Sequence, residues 1–318
     1  VLDLHRLRLL RELHLRGTMA AVAGSLAYSP SAVAQQIRVL EKEVGLPLIE
    51  AAGRGVRLTA QGRVLVEHAD RILRLVEEAE ADVAASAAQA RGLVRIAAFQ
   101  TAALALLPGL ISDLRRRHPL IEVELTQGED VDTLPALVSG QLDLVLFEEY
   151  PGFPSRRQPG IDVEELLADR MWIAVPSAVA AGLDPSAPVL GQLADVGWAM
   201  EPVDSPPRLW VTGLCRTAGF EPRVLCNSTD ISVHREMVRE GLMAAVVSDL
   251  SLIRGASARD GIRVFSTRHR RPTDTRRVFT AARDGAVGDP AVAAVRAGLR
   301  EIVASLPRVD PHTRSSGV

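Results

Sequence analysis

Ser31, Gln35 and Arg38 stand four and three residues apart in the stretch SPSAVAQQIRVLEKE, residues 29–43, and so share one face of a helix. Their chemistry is hydrogen bonding: a hydroxyl, an amide that donates and accepts, and a guanidinium fork. Such groups on an exposed helix match base edges in the major groove of DNA, which is wide enough to admit one α-helix. The opposite face carries Val33, Ile37 and Leu40 at the same spacing, an apolar stripe that must pack against something. The ends are marked as well. Ser29 supplies a capping hydroxyl, Pro30 suits the first turn because its missing N–H would be unpaired there, and Gly45 closes the helix. Polar helix faces are more often solvated than bound to nucleic acid, so the neighbouring segments have to decide.

Before this helix, Gly17-Thr18 ends one helix and caps the next, and MAAVAGSL (Met19 to Leu26) is short and apolar enough to pack beneath it. With a tight turn at Ala27-Tyr28 the pair makes a helix-turn-helix. After it, residues 46–62 read as two short strands around a turn at Gly53 and Gly55, a wing carrying Arg54 and Arg57. Leu2 to Leu15, leucine-rich with Arg6, Arg8, Arg11 and Arg16 interleaved, predicts an amphipathic helix that covers the back and turns its arginines to solvent.

From Leu2 to Leu75 this order of residues resembles the DNA-binding domain and linker helix of LysR-type transcriptional regulators. The matching positions are Ala20-Ala21 to Leu26, Ser29 to Ile37, Leu40-Glu41, Gly45, Leu48-Ile49 and Gly53-Arg54 to Leu58-Thr59. Three positions depart from the pattern: Pro30-Ser31 stands for Gln-Pro, Ala34 for a serine and Ala51 for an arginine, each removing or moving a polar group near DNA. The resemblance implies double-stranded DNA with an interrupted palindrome as partner, contacted through Ser29, Pro30, Ser31, Gln35, Gln36, Arg38, Arg54 and Arg57. It further implies a homodimer or homotetramer, a small-molecule effector, and RNA polymerase as an additional partner.

The bulk properties agree with a local rather than global nucleic-acid surface. The 318 residues are 47% hydrophobic, enough for two or three packed domains, and the formal net charge is only −2. Residues 1–60 carry eight Lys/Arg against five Asp/Glu. Lys42 is the sole lysine, which the Ala, Val and Leu excess attributes to a GC-rich genome rather than to function. No apolar run reaches the roughly 18 residues that a membrane span needs, and the N-terminal charges Asp3 and Glu12 do not suit a signal peptide, so a cytoplasmic protein is expected. Cys215 and Cys226 have neither disulfide-framework nor metal-ligand spacing, and the apolar run around Cys226 reads as a buried thiol rather than a redox partner.

Gln61 to Ala90 has no Pro, and no Gly after Gly62, and predicts one long helix ended by Gly92. Along it Leu65, Ala69, Ile72, Val76, Ala79 and Val83 recur in steps of four and three, the spacing of a coiled-coil dimer seam. From Leu93 the pattern becomes strands alternating with helices. LVRIAAF, IEVELT and LDLVLF are strands of a first parallel series, and MWIAVP, VGWAM, PRVLC and MAAVVS of a second. Helices are expected at 104–117, 131–138, 207–218, 232–240 and 290–306, and two crossings between the halves near 147–154 and 267–272. Segment order and length resemble the effector domain of the same family. The fold expected is therefore multi-domain: an all-α winged helix-turn-helix DNA-binding domain at 1–60, a linker and dimerisation helix at 61–91, and a two-lobed α/β, periplasmic-binding-protein-like (type 2) effector domain at 92–306. Lobe 1 would comprise about 92–150 and 273–306, lobe 2 about 151–272, and 307–318 a flexible tail.

In doubly wound sheets ligands sit beyond the carboxyl ends of strands. Here those positions are Gln100 and Thr101, Thr126, Glu148, and Asn227, Ser228 and Thr229. Thr101 and Ser228 read equally well as helix caps, and the resemblance is what brings the set to one cleft. Hydroxyls and free N–H groups at two helix starts favour a carboxylate, while Glu148 suits an amino or hydroxyl group, so an amino or hydroxy acid is the effector expected. An enzyme or ligand-binding protein built on the two-lobed domain is the alternative. It would want a G-x-S-x-G elbow, a Gly-rich phosphate loop or a His/Cys cluster, and none occurs. No cofactor or metal is expected, and His68, His118 and His234 read as surface residues on helices.

Overall fold

The computed structural model describes residues 1–307 apart from 27, 53–54, 87–88, 156, 254–260 and 268–273, with backbone alone at 130–132. Arg54, Gly53, Ala27, most of the expected crossing at 267–272 and nearly all of the expected tail therefore lie outside the described residues.

Three helices and a hairpin open the chain. Helix α1 (Leu4–Arg16) is capped by the Asp3 carboxylate, α2 spans Met19–Leu26, and α3 spans Pro30–Val44. The Ser29 hydroxyl accepts from the Ala32 N–H at 3.2 Å, and Gly45 ends α3 with φ +74°, a left-handed conformation suited to glycine. Val33, Ile37 and Leu40 are fully buried with Leu7, Leu10, Val22 and Leu48 in one core. Each such side chain contributes about 1.5–3 kcal/mol relative to exposure. Strands β1 (Ile49–Ala52) and β2 (Gly55–Leu58) pair antiparallel as the wing. Glu41 ties the wing to α3, its carboxylate accepting from the Leu48 and Ile49 N–H groups at 2.8 and 3.1 Å.

Helix α4 (Ala60–Ala85) has 26 residues and is capped by Thr59. It ends earlier than the absence of Gly and Pro suggests. Ser86 turns its hydroxyl back to the Val83 carbonyl at 2.6 Å, offering the backbone an alternative to further helix, and Gly92 opens a strand instead. The expected seam also needs correction, because α1 lies along α4. Ala69 is fully buried in the core of the first three helices, with Leu65 and Ile72 packed against it. These three residues already have a partner within the chain. The exposed large apolar residues of α4 are Val64, Leu75 and Val83, at 56%, 66% and 73% exposure.

The remainder is a mixed sheet in two halves. β3 (Gly92–Ala98), β4 (Ile121–Gln127) and β5 (Leu144–Glu149) run parallel in the order β4-β3-β5. In the other half β7 (Gly197–Met200) lies between β8 (Arg223–Asn227) and β9 (Ala244–Ser248), again parallel. What joins the halves differs from the all-parallel expectation. β6 (Ile161–Pro176) is one strand of 16 residues. Its first part, to Arg170, pairs antiparallel with β11 (Thr275–Arg283), and its last part pairs with β9 and with β10 (Ile262–Ser266). The lobe boundary expected at 150/151 thus falls near Arg170-Met171, since residues 161–170 belong to the first sheet half. Their acid-rich sequence hid them: Asp162 and Glu164 pair with Arg296, and Glu165 with Arg277, so the charges are met by arginines from distant segments.

Helices cover both faces. α6 (Leu107–Arg117) and α12 (Pro290–Ala304) pack on one face of the first half and α7 (Asp130–Val138) on the other, while a short α5 (Gln100–Ala105) follows β3. In the second half two short helices, α8 (Ser177–Ala180) and α11 (Asp249–Leu252), follow β6 and β9, while α9 (Pro206–Thr217) packs against Ile173, Val175 and Trp198, and α10 (Ile231–Arg239) against the alternate residues Trp172, Ala174 and Ala199. Cys215 and Cys226 consequently sit on opposite faces of this sheet, Cys215 buried with its pKa pushed up to about 12 by burial. Among the described residues no helix is long and apolar enough to cross a membrane.

Candidate functional site

Two polar surfaces stand out, and they are built differently. On α3, Ser31, Gln35 and Arg38 are exposed, as are Ser29 and Pro30 at its start. Their nearest polar partners are one another: Ser29 and Ser31 share a hydrogen bond at 3.0 Å, and Arg38 donates to the Gln35 amide oxygen at 3.3 Å. Gln36 points away from this group, half-buried, and accepts from Arg6. On the wing Arg57 is exposed and paired with Glu50 at 2.8 Å. Of the arginines of α1, Arg8 is exposed as expected, while Arg6, Arg11 and Arg16 depart from the solvated face expected of them. Arg6 pairs with Glu43, Arg16 with Glu12, and Arg11 is buried with an N–H on the Val138 carbonyl at 3.0 Å.

The second surface is a cavity of about 700 Å³ between the sheet halves. Of the expected ligand residues, Gln100, Thr101, Glu148 and Thr229 line it; Thr126, Asn227 and Ser228 do not. Thr126 is exposed on β4, the outermost strand of its half. Asn227 accepts from Arg208 at 3.0 Å, and the Ser228 hydroxyl accepts from the Asp230 N–H at 3.0 Å, closing its own turn. Gln100 bridges the cleft itself: its amide donates to Asp230 at 2.6 Å and accepts from the Ile231 N–H at 2.7 Å.

At the floor of the cavity sits Arg276, a residue the sequence analysis passed over. Its Nε donates to Asp169 at 2.8 Å, Nη1 to Glu148 and to the Tyr150 hydroxyl, and Nη2 to Thr101 and Ser248 at 2.6 and 2.9 Å. A guanidinium has five N–H groups, and all are taken. Thr101 is therefore neither a free ligand nor a helix cap. Burial works against the Arg276 charge, but Glu148, Tyr150 and Asp169 overcome it and hold its pKa above the ordinary value. Strand period offered a signal. Arg276 falls in phase with Val278 and Ala282, which are buried in the first core, whereas Arg277 points the other way and pairs with Glu165.

Carboxylates dominate the rest. Glu201, directly beyond the carboxyl end of β7, was also missed, although the rule about strand ends applies to it. Burial pushes Glu201 up to about 8, helped by repulsion from Glu129 and Glu148 and opposed by Arg276. Burial likewise pushes Glu148 up to about 7 against the pull of Arg276. His234, expected at the surface, is 2% exposed, because it shares with Val238 the α10 face that packs on the sheet. Burial lowers its pKa, and its Nε2 lies 2.9 Å from the Ser228 carbonyl.

The geometry has counterparts among known proteins. A family model for the bacterial regulatory helix-turn-helix protein, lysR family, matches residues 4–63, and one for the LysR substrate binding domain matches residues 87–304. The HTH-type transcriptional regulator TfdS of Cupriavidus pinatubonensis is 30% identical over 233 residues, 73% of this chain and 77% of that protein. Among solved structures, a full-length OxyR variant from Pseudomonas aeruginosa superposes with a TM-score of 0.66 at 19% identity, covering 98% of this chain and 99% of its own. The regulator CbnR, solved with its target DNA, superposes with a TM-score of 0.51 at 23% identity over 94% of this chain and 100% of its own.

Proposed function

Because the chain belongs to the LysR family of transcriptional regulators, a DNA-binding helix-turn-helix joined to an effector-binding domain, we propose that Gln35, Ser31 and Arg38 of α3 read base edges in the major groove. Arg57 exchanges Glu50 for a phosphate, Arg54 is a second phosphate contact, and Ser29 and Pro30 set the start of α3 against the backbone. Two copies bind an interrupted palindrome, since two-fold symmetry in a protein is mirrored in its operator. The copies meet along α4 through Val64, Leu75 and Val83, with Val76 and Ala79 at the margin, and a tetramer pairs two such dimers. The regulator works in the cytoplasm, with RNA polymerase as its downstream partner and no catalytic step of its own.

The observation that supports ligand control is the placement of α7. Glu129 stands at its N-cap position and lines the cavity. At its other end the Val138 carbonyl is held by Arg11 of α1, and Gln141 just beyond donates to the Ser25 carbonyl of α2. Arg283, at the end of β11, holds the Leu137 carbonyl and pairs with Glu77 of α4 at 2.9 Å. One short helix therefore reaches from the cleft to both the DNA-binding helices and the linker. A ligand that favours one arrangement of the lobes shifts the population of DNA-binding arrangements through it.

Selection of bound duplexes from a random pool tests this reading. Two half-sites in inverted repeat are expected, and a pool without a shared sequence overturns base readout by α3. Leu75→Asp places a charge in the seam and should yield monomers in sedimentation; an unchanged oligomer overturns the seam.

A further inference from the structure

We infer that the inter-lobe cleft takes an effector with a cationic amine on an apolar body, held at Glu201 with Glu148 and Glu129 around it. The inference rests on the cleft being the effector site, and deepens that reading. The argument begins with the cation already present. An acidic ligand would need Arg276 as its partner, but every N–H of Arg276 is engaged by Asp169, Glu148, Tyr150, Thr101 and Ser248. A ligand carboxylate at Arg276 would have to displace Tyr150, Thr101 or Ser248 and leave that buried oxygen without its donor. Arg208, the other arginine of the lining, is anchored through Nη1, which donates to the Glu201 carbonyl and to Asn227, both at 3.0 Å. At the α5 start the Gln100 side chain is tied across the cleft to Asp230 and Ile231.

The acids of the lining, in contrast, outnumber its arginines, Arg208 and Arg276. Glu129 from α7, Glu148 from β5 and Glu201 after β7 converge from three elements, and Asp204 adds a fourth carboxylate at the mouth. Among the described residues the Glu201 carboxylate has no hydrogen-bond or ion-pair partner, although the side chain is largely withdrawn from water. Its neighbours on every side are accounted for: Glu129 and Glu148 repel it, Arg276 attracts it weakly, and His234 is kept neutral by burial. An ammonium group against Glu201 would relieve this repulsion and supply the missing donors. Phe153, Met200, Val203 and Val211 line the remaining space and fit an apolar body. Of the amino acid expected, the amino end is the one for which the cleft holds an unpartnered group, Glu201.

A matched pair of probes, 3-phenylpropylamine and 3-phenylpropanoate, tests the inference on the full chain by thermal shift and by calorimetry in buffers of differing ionisation enthalpy. The amine should raise Tm and the acid should not. At pH 7 Glu201 is mostly protonated, so binding the amine should release about one proton, falling toward zero at pH 9 where the carboxylate is already charged. Glu201→Gln should weaken the amine about tenfold and remove most of the proton release, whereas Glu201→Asp should restore part of both. Stabilisation by the acid in place of the amine, no binding of the amine, or amine binding indifferent to Glu201→Gln overturns the inference. Duplex binding by the same samples separates this from failure of the effector reading. If the amine binds at Glu201 but leaves the footprint on DNA unchanged, the cationic preference stands and control of DNA binding by the cleft falls.

Discussion

The polar groups of α3 stand in water and bond mainly to each other, whereas those of the cleft are buried and bonded to saturation around Arg276. The same residue types therefore carry different liabilities. An exposed glutamine or arginine contributes to a complex that has yet to form, and its loss leaves the free protein intact. A buried arginine holds opposed charges in place, and its loss leaves them uncompensated. The contrast also separates the chemistry of the two sites. Free donors on α3 are available to bases and phosphates, while in the cleft every N–H of Arg276 is taken and the Glu201 carboxylate is left to accept.

The largest effect that would break this comparison is expected at Arg276. Arg276→Met leaves Asp169 and Glu148 buried without their counter-ion and should cost about 3–5 kcal/mol in urea unfolding. The loss should be smaller at pH 6 than at pH 8, because Glu148 then takes up a proton at less expense. A loss under about 1 kcal/mol would mean that the centre is not the buried anchor described, against typical surface effects of that size.

Next in size is Gly62, at the start of α4, where an added Cβ would lie 2.1 Å from the Leu48 carbonyl oxygen. Gly62→Ala should destabilise the winged helix by about 1–3 kcal/mol and weaken DNA binding, yet leave ligand binding in the cleft untouched. Equal damage to both activities would show that the two regions unfold together.

On α3 itself Gln35→Ala should cost about 1–3 kcal/mol at one operator position and relax the preference there, with unchanged unfolding. Arg57→Ala should instead weaken all duplexes and reduce the salt slope by about one. If both variants lowered affinity equally for selected and random DNA, Gln35 would not be a base reader.

The smallest effect sharpens the picture of the acids. Glu201 and Glu148 have folded pKa values raised above the ordinary 4.5, so the folded chain binds more protons than the unfolded chain between there and about 7–8. Stability of the ligand-free protein should then be fullest below about pH 4.5 as far as these two groups are concerned, and decline as pH rises toward 8. Glu201→Gln should flatten that decline. An identical slope in the variant would place the acid stress elsewhere.

What the sequence determined by itself is the part whose physics is local. Ser29, Pro30, the stripe Val33-Ile37-Leu40 and Gly45 define α3 within 17 residues, because caps and helical periodicity act over one or two turns. Strands such as Leu144–Glu149 and Ala244–Ser248 were equally legible, since burial on both faces demands an unbroken apolar run. Charged strands and contacts between distant segments were not. Residues 161–170 look like an acidic loop until Arg277 and Arg296 arrive to pair with them. Ala69 looks like part of an intermolecular seam until α1 folds over it. Arg276 is one arginine among many until Asp169, Glu148, Thr101 and Ser248 are brought to it from four other places in the chain. Only the tertiary structure could decide these, because a buried charge is defined by partners that no local pattern records.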